Sequence, residues 1–139
     1  MLINEIMTKK VITIDKNHSI FQASRIYKEF KIGCLIVMSN DQVVGMITER
    51  DIIERTICER INPEITKVED IMSTDIITIH ALDKIEDAIE KMIKNNIKKL
   101  PVIKDGHIVG IITVTDISRS RPDLSKRFID SWIKPEWKD

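Results

Sequence analysis

Gly45-Met46-Ile47-Thr48-Glu49-Arg50-Asp51 returns 65 positions later as Gly110-Ile111-Ile112-Thr113-Val114-Thr115-Asp116. Both stretches follow one pattern: glycine, two apolar residues, threonine, two variable residues, aspartate. The same shift carries Ile6 to Asp51 onto Ile71 to Asp116 without a gap. Ile6-Met7, Ile12-Thr13-Ile14, Ile20, Ala23, Leu35, Val37, Val44 and Ile47 recur as the same residue types, and Thr8/Ser73 and Met46/Ile111 are conservative pairs. An internal repeat changes what a domain means, so it comes before any other reading. Two copies are too few for a solenoid, which takes about three or more units to bury a continuous core. They close more naturally about a pseudo-twofold axis, and a site at their junction is then expected twice.

Working outward from the motif, each copy reads β-α-β-β-α. In the first, Val11 to Ile14 is a β-rich run. Ile20, Ala23, Tyr27 and Phe30 then lie on one helical face, and Ser19 with Gln22 has capping-box spacing. Cys34 to Met38 reads as a buried strand, Ser39 to Gln42 as a turn and Val43 to Thr48 as the returning strand. A helix is predicted from about Glu49 to Arg60. In the second copy Ile76 to Ile79 is the strand, Asp83 and Glu86 supply the capping signal, and Ile85, Ala88, Ile89, Met92 and Ile93 form the helical stripe. Asp105-Gly106 marks a tight hairpin turn. The organisation predicted is repeat 1 over residues 1–60, a connector over 61–66 broken by Pro63, repeat 2 over 67–120 and a helical tail over 121–139. Pro122 can open that tail, where Leu124, Phe128, Ile129 and Trp132 have helical spacing. Trp132 and Trp137 both sit there. The tail is either a helix capping a repeat edge or a docking segment for another subunit or client.

Composition narrows the function classes. Hydrophobic residues are 42% and charged residues 32% of 139, as in globular proteins. A half of about 60 residues is small for an independent core, which predicts that the halves share one. Lysine plus arginine and aspartate plus glutamate both number 22, so the excess of positive charge that grips a nucleic-acid backbone is missing and a nucleic-acid role is not expected. No leader pattern opens the chain, and no apolar run approaches the roughly 20 residues of a membrane span. A cytoplasmic location is expected, with no membrane partner. Cys34 and Cys58 are far apart and form no metal-like spacing.

The two Gly-h-h-Thr-x-x-Asp stretches, with Ile6-Met7-Thr8 and Ile71-Met72-Ser73, the Ile-x-x-Ala helix starts and Lys99-Leu100-Pro101-Val102, resemble the cystathionine β-synthase (CBS) domain family over about residues 5–120. The resemblance implies a mixed α+β tandem pair, often called a Bateman module. Its two three-stranded sheets would pack face to face with helices outside, and two pseudo-symmetric clefts would lie between the repeats. In the family such clefts often bind AMP, ADP, ATP or S-adenosylmethionine. The module usually regulates and catalyses nothing and commonly forms a homodimer; no cofactor or metal is expected for this chain.

The motif's chemistry suits that implication. An ionised aspartate at a helix start can accept hydrogen bonds from both hydroxyls of a ribose cis-diol, which nominates Asp51 and Asp116. Thr48 and Thr113 add hydroxyls, and the glycines allow a backbone to approach closely. The competing reading is that Thr and Asp are ordinary helix caps and the glycine marks a bulge. Around the aspartates, Arg50 in the first copy and Thr115 in the second differ. Lys98 and Lys99 stand where family members often place a basic residue against phosphate, although both could be plain solvent-facing charge. Ile12, Thr13, Ile77 and Thr78 correspond to the stretch that lines the adenine pocket in relatives. The site using Asp116 is expected to be the better nucleotide site. No Ser-His-Asp set, metal cluster or P-loop is present to make an enzyme. The expected function is an adenosine-ligand sensor that signals to a client protein. The alternative is a ligand-free scaffold of the same fold.

Overall fold

In the computed structural model, which describes residues 1–132, a single turn α1 (Ile3–Ile6) comes first. The first repeat follows as β1 (Thr13–Asp15), α2 (Ile20–Phe30), β2 (Cys34–Ser39), β3 (Gln42–Thr48) and α3 (Glu49–Ile52). The second is β4 (Ile79–His80), α4 (Ile85–Asn95), β5 (Lys99–Lys104), β6 (His107–Thr113) and α5 (Val114–Ser120). After a 3-10 turn at Pro122–Leu124 the helix α6 spans Ser125–Trp132. Trp137 lies outside the described residues. Two three-stranded sheets result, ordered β1-β2-β3 and β4-β5-β6, each with its first pair parallel and its second antiparallel.

Both hairpins close through two residues of positive φ, Asn40 (50°) with Asp41 (63°) and Asp105 (52°) with Gly106 (78°). That pair of dihedrals is the twist-matched hairpin turn that Asn, Asp and Gly tolerate best. In both ladders the register then slips beside the motif glycine. Val37 faces Gly45 while Met38 faces Val43, and Val102 faces Gly110 while Ile103 faces Ile108. One extra residue, Val44 or Val109, bulges out each time. The glycine is also a close-approach point: a Cβ on Gly110 would stand 2.6 Å from Met7 Sδ and 2.8 Å from the Thr8 carbonyl oxygen. On Gly45 it would stand 2.5 Å from Met72 Sδ and 3.0 Å from the Ser73 carbonyl oxygen. Both meanings of the strand glycine hold at once.

Those contacts reveal how the chain is shared out. Met1–Lys10 belongs to one compact unit with Ile77–Asp139, and Val11–Ile76 forms the other. Thr8 exchanges backbone hydrogen bonds with Ile111 at 2.8 and 2.9 Å, and Ser73 exchanges them with Met46 at 2.9 and 2.9 Å. The opening segment of each written repeat thus covers the outer edge of the last strand of the other, satisfying groups that would otherwise template aggregation. The expected shared core takes a different form. Each unit has its own buried cluster, and what is traded is the segment: Ile3 sits in the second-repeat core, Val68 and Ile71 in the first-repeat core. The exchange supplies apolar residues that a repeat of this size lacks alone.

Helix ends show where local sequence decides. Ser19 and Gln22 form the predicted capping box, Gln22 N–H donating to Ser19 Oγ at 3.1 Å and Ser19 N–H to Gln22 Oε1 at 2.9 Å. In the second repeat the expected Asp83–Glu86 pair is displaced by one residue. Asp83 already accepts from His80 N–H at 3.0 Å, so α4 starts after Lys84, whose N–H is taken by Asp87 at 3.1 Å. The helix predicted from Glu49 to Arg60 is regular only to Ile52. Ile53–Ile57 widens into a π-helical turn, with Cys58 N–H donating to the Ile53 carbonyl five residues back at 2.9 Å. The tail helix caps its unit: Phe128 is buried in the second-repeat core, with Leu124 and Trp132 packed around it. Ile129 faces outward instead, 52% exposed.

Candidate functional site

Thr48 and Thr113 each end a strand in extended backbone and cap the helix that follows. Asp51 N–H donates to Thr48 Oγ1 at 3.2 Å, and Thr48 N–H donates to Asp51 Oδ2 at 2.9 Å. The pair at Asp116 and Thr113 repeats this at 3.0 and 3.0 Å. The capping role of the motif is therefore real in both copies. It engages one carboxylate oxygen, Oδ2, and leaves Oδ1 to other partners.

Those partners differ. The Thr8 hydroxyl donates to Asp116 Oδ1 at 3.2 Å, with Oδ2 at 3.3 Å. Asp51 Oδ1 faces Arg55 Nε at 3.9 Å, and Arg55 Nη1 donates to the Ile71 carbonyl at 2.8 Å. Asp116 is only 9% exposed, a buried carboxylate held by a cap and a hydroxyl without a full countercharge.

Around Asp116 the second-repeat unit gathers most of the predicted residues. Lys99 is the register partner of Thr113 across β5 and β6, and Val114 N–H donates to the Lys98 carbonyl at 3.1 Å. Lys98, Lys99, Thr113 and Thr115 line a cavity of about 510 Å³ together with Phe128, Ile129 and Trp132 of α6, while Asp116 stands outside the lining. Ile77 packs against the core and the Thr78 carbonyl accepts from Lys91 Nζ at 2.7 Å, and neither residue lines that cavity. In the first-repeat unit the predicted residues scatter. Arg50 is exposed and bonded to Glu54 at 3.0 Å, Ile12 packs on the core, and exposed Thr13 sits opposite Ile36 in the sheet. A cavity of about 360 Å³ in that unit is lined by Ser24, Tyr27, Lys28, Glu49, Ile52 and Ile53, none of them a predicted site residue.

Three contributors escaped the sequence reading. Thr8 was visible as part of the repeated Ile-Met-Thr/Ser segment, but nothing local tied it to Asp116. Arg55 lies four residues after Asp51, a spacing at which helical side chains meet, and could have been found that way. Trp132 was assigned to the tail without a ligand-facing role. His80, the last residue of β4, has its Nδ1 accepting from Leu82 N–H at 3.0 Å and serves the turn. Among the described residues, no group of three or more His, Cys, Asp or Glu is placed to hold a metal. No helix there is long and apolar enough to cross a membrane.

Comparison with known proteins places this geometry. An uncharacterized protein of Methanocaldococcus jannaschii is 38% identical over 116 residues, covering 83% of this chain and 38% of its own length. The inosine-5′-monophosphate dehydrogenase of the same organism is 32% identical over 120 residues, covering 85% of this chain and 23% of the enzyme. The chain therefore spans well under two thirds of either relative. Among solved structures, the CBS domain pair of protein MJ0100 in complex with 5′-methylthioadenosine and S-adenosyl-L-methionine superposes with a TM-score of 0.78. It is 32% identical, over 88% of this chain and 97% of that one. The CBS domain profile matches residues 3–57 and again residues 68–123. With both written repeats matched and the two three-stranded sheets in place, the chain belongs to the CBS domain family and carries a tandem pair of CBS domains.

Proposed function

We propose that this chain is a regulatory module that binds an adenosine-containing ligand (AMP, ADP, ATP or S-adenosylmethionine) and passes its occupancy to a partner protein. The observation that carries the reading is the surrounding of Asp116. A nearly buried carboxylate is kept in place by the Thr113 cap, and Thr113 itself lines a cavity together with Lys98, Lys99 and Thr115. A ribose diol has the two donors that such a carboxylate accepts, at about 1.5–3 kcal/mol for each charge-assisted bond, or roughly 10–150-fold in affinity. The solved complex of a 32% identical CBS pair with two adenosine compounds supports the ligand class. The second-repeat site is the stronger one, because Asp51 already faces Arg55 and Arg50 is held by Glu54.

Occupancy acts on a partner only if the ligand binds two arrangements of the module unequally. Ile53 and Ile57, one helical turn apart and 54% and 59% exposed, support a second copy of the chain as one contact. A client protein that reads the occupancy is a separate partner.

One observation favours the alternative of a ligand-free scaffold: both aspartates already cap helices, and Asp116 is further bonded to Thr8. Calorimetry with AMP, ADP, ATP, S-adenosylmethionine and 5′-methylthioadenosine separates the two readings. Saturable binding that Asp116→Ala weakens at least tenfold, with Asp51→Ala weakening it less, is the expected result. A ligand at 100 times its Kd also adds about 2.7 kcal/mol of stability. Heat from none of the five, with no thermal shift, leaves the scaffold standing.

A further inference from the structure

We propose that Trp132 of α6 is the movable part of the wall of the cavity lined by Thr113 and Thr115, and that a phosphate-bearing ligand taking Lys98 releases it. This rests on the adenosine-site reading above and narrows it to phosphorylated nucleotides. The CBS match ends at residue 123, so α6 is an addition to the pair. Its Phe128 is anchored, 3% exposed in the core, and stacks on Trp132 with ring centroids 5.1 Å apart and planes at 21°. Trp132 in turn holds the ammonium of Lys98, whose Nζ lies 5.6 Å from the indole centroid. The same lysine borders the cavity with Lys99 and Thr115.

Lys98 therefore has two suitors. A cation held over an exposed aromatic face is bound more weakly than one hydrogen-bonded to an anionic oxygen. A phosphate entering between Lys98 and Lys99 draws Lys98 off the indole, and Trp132 loses that contact while Phe128 keeps α6 docked. The ligand's arrival is thus converted into a change on the surface of α6. An uncharged adenosine compound offers Lys98 nothing and leaves the pair intact.

The test uses the full-length chain with Trp137→Phe, which leaves Trp132 as its single tryptophan. Calorimetry and Trp132 emission are followed while titrating ATP, 5′-methylthioadenosine and inorganic tripolyphosphate. ATP is expected to change the emission with the midpoint of its heat. Tripolyphosphate should do so at higher concentration, and 5′-methylthioadenosine should leave the emission unchanged. Lys98→Gln, a surface change, is expected to weaken ATP about tenfold and abolish the emission response with the far-ultraviolet circular dichroism unaltered. ATP heat without an emission change, an equal response to 5′-methylthioadenosine, or unchanged ATP affinity in Lys98→Gln overturns the gate and leaves the site reading in place. Heat from none of the adenosine compounds overturns the site reading, and the gate with it.

Discussion

The Thr8 hydroxyl reaches both carboxylate oxygens of Asp116, at 3.2 and 3.3 Å, across 108 positions of sequence. It sits on the oxygen that the helix cap leaves available, so a ribose that takes Asp116 must share it or replace it. Ser73 is the repeat-equivalent residue, yet the corresponding oxygen of Asp51 faces Arg55 instead. Two copies of one motif have acquired different second partners, one neutral and one cationic.

Thr8→Val removes the competitor without touching the cap. Thermal stability is expected to fall by about 1 kcal/mol, or about 3–5 °C in Tm, for a lost bond to a charged acceptor near the surface. Affinity for AMP or ATP, measured by calorimetry, should hold or rise a few-fold. A tenfold weakening would mean that Thr8 contacts the ligand itself.

Gly110→Ala and Gly45→Ala probe the exchanged segments. Each new Cβ collides with a methionine sulfur, which can swing away, and with a backbone carbonyl, which cannot. The carbonyl stands nearer at Gly110 (2.8 Å) than at Gly45 (3.0 Å). Both should destabilise by about 1–3 kcal/mol, Gly110→Ala the more, in urea unfolding. Adding Met7→Ala should recover only part of the loss at Gly110.

Thr56 is fully buried in the π-helical turn, and its hydroxyl has no hydrogen-bond partner among the described residues. An unpaired hydroxyl carries its desolvation penalty uncompensated, roughly 1–3 kcal/mol. Thr56→Val keeps the shape and removes the penalty, so the unfolding midpoint should rise. A fall would show that the hydroxyl has found a bonded water.

Tyr27 donates its hydroxyl to the Ile47 carbonyl inside the first-repeat core. Burial, then the neighbouring Cys34, pushes its phenol well above the ordinary value. The unfolded chain releases that proton near pH 10, whereas the folded chain keeps it, so the unfolded state binds fewer protons and stability falls as pH rises past 10. The gap in stability between the wild type and Tyr27→Phe, largest below pH 10, should therefore close as pH climbs from 9 to 11. A gap constant over that range would place the phenol in solvent.

Much of this was legible in the residues. The apolar stripes of α2 and α4, the Ser19–Gln22 box and the hairpin turns are local, and the structure places them where the periodicity does, except that Phe30 at the end of α2 is exposed. The segment exchange was not, because Met7-Thr8 and Met72-Ser73 match Gly45 and Gly110 equally well and similarity cannot say which strand each will cover. The start of α4 was ambiguous for a related reason. Asp83–Glu86 and Lys84–Asp87 share the same spacing, and the hydrogen bond from His80 to Asp83 decides between them. At the site, Thr113 and Asp116 were readable as a pair, while Thr8 and Trp132 enter only through tertiary packing.

Because each opening segment lodges on the opposite sheet, a gene divided at the connector would sever both folded bodies. Cuts after Lys10 and after Ile76 would spare one of them, since Val11 to Ile76 carries a whole body in unbroken order. The other body could be made continuous by circular permutation, with residues 1–10 spliced behind the tail. What was inherited as a tandem duplication now folds as two bodies whose borders are not the borders of the copies, and neither ancestral half can be returned to solitary life along the seam where it was copied.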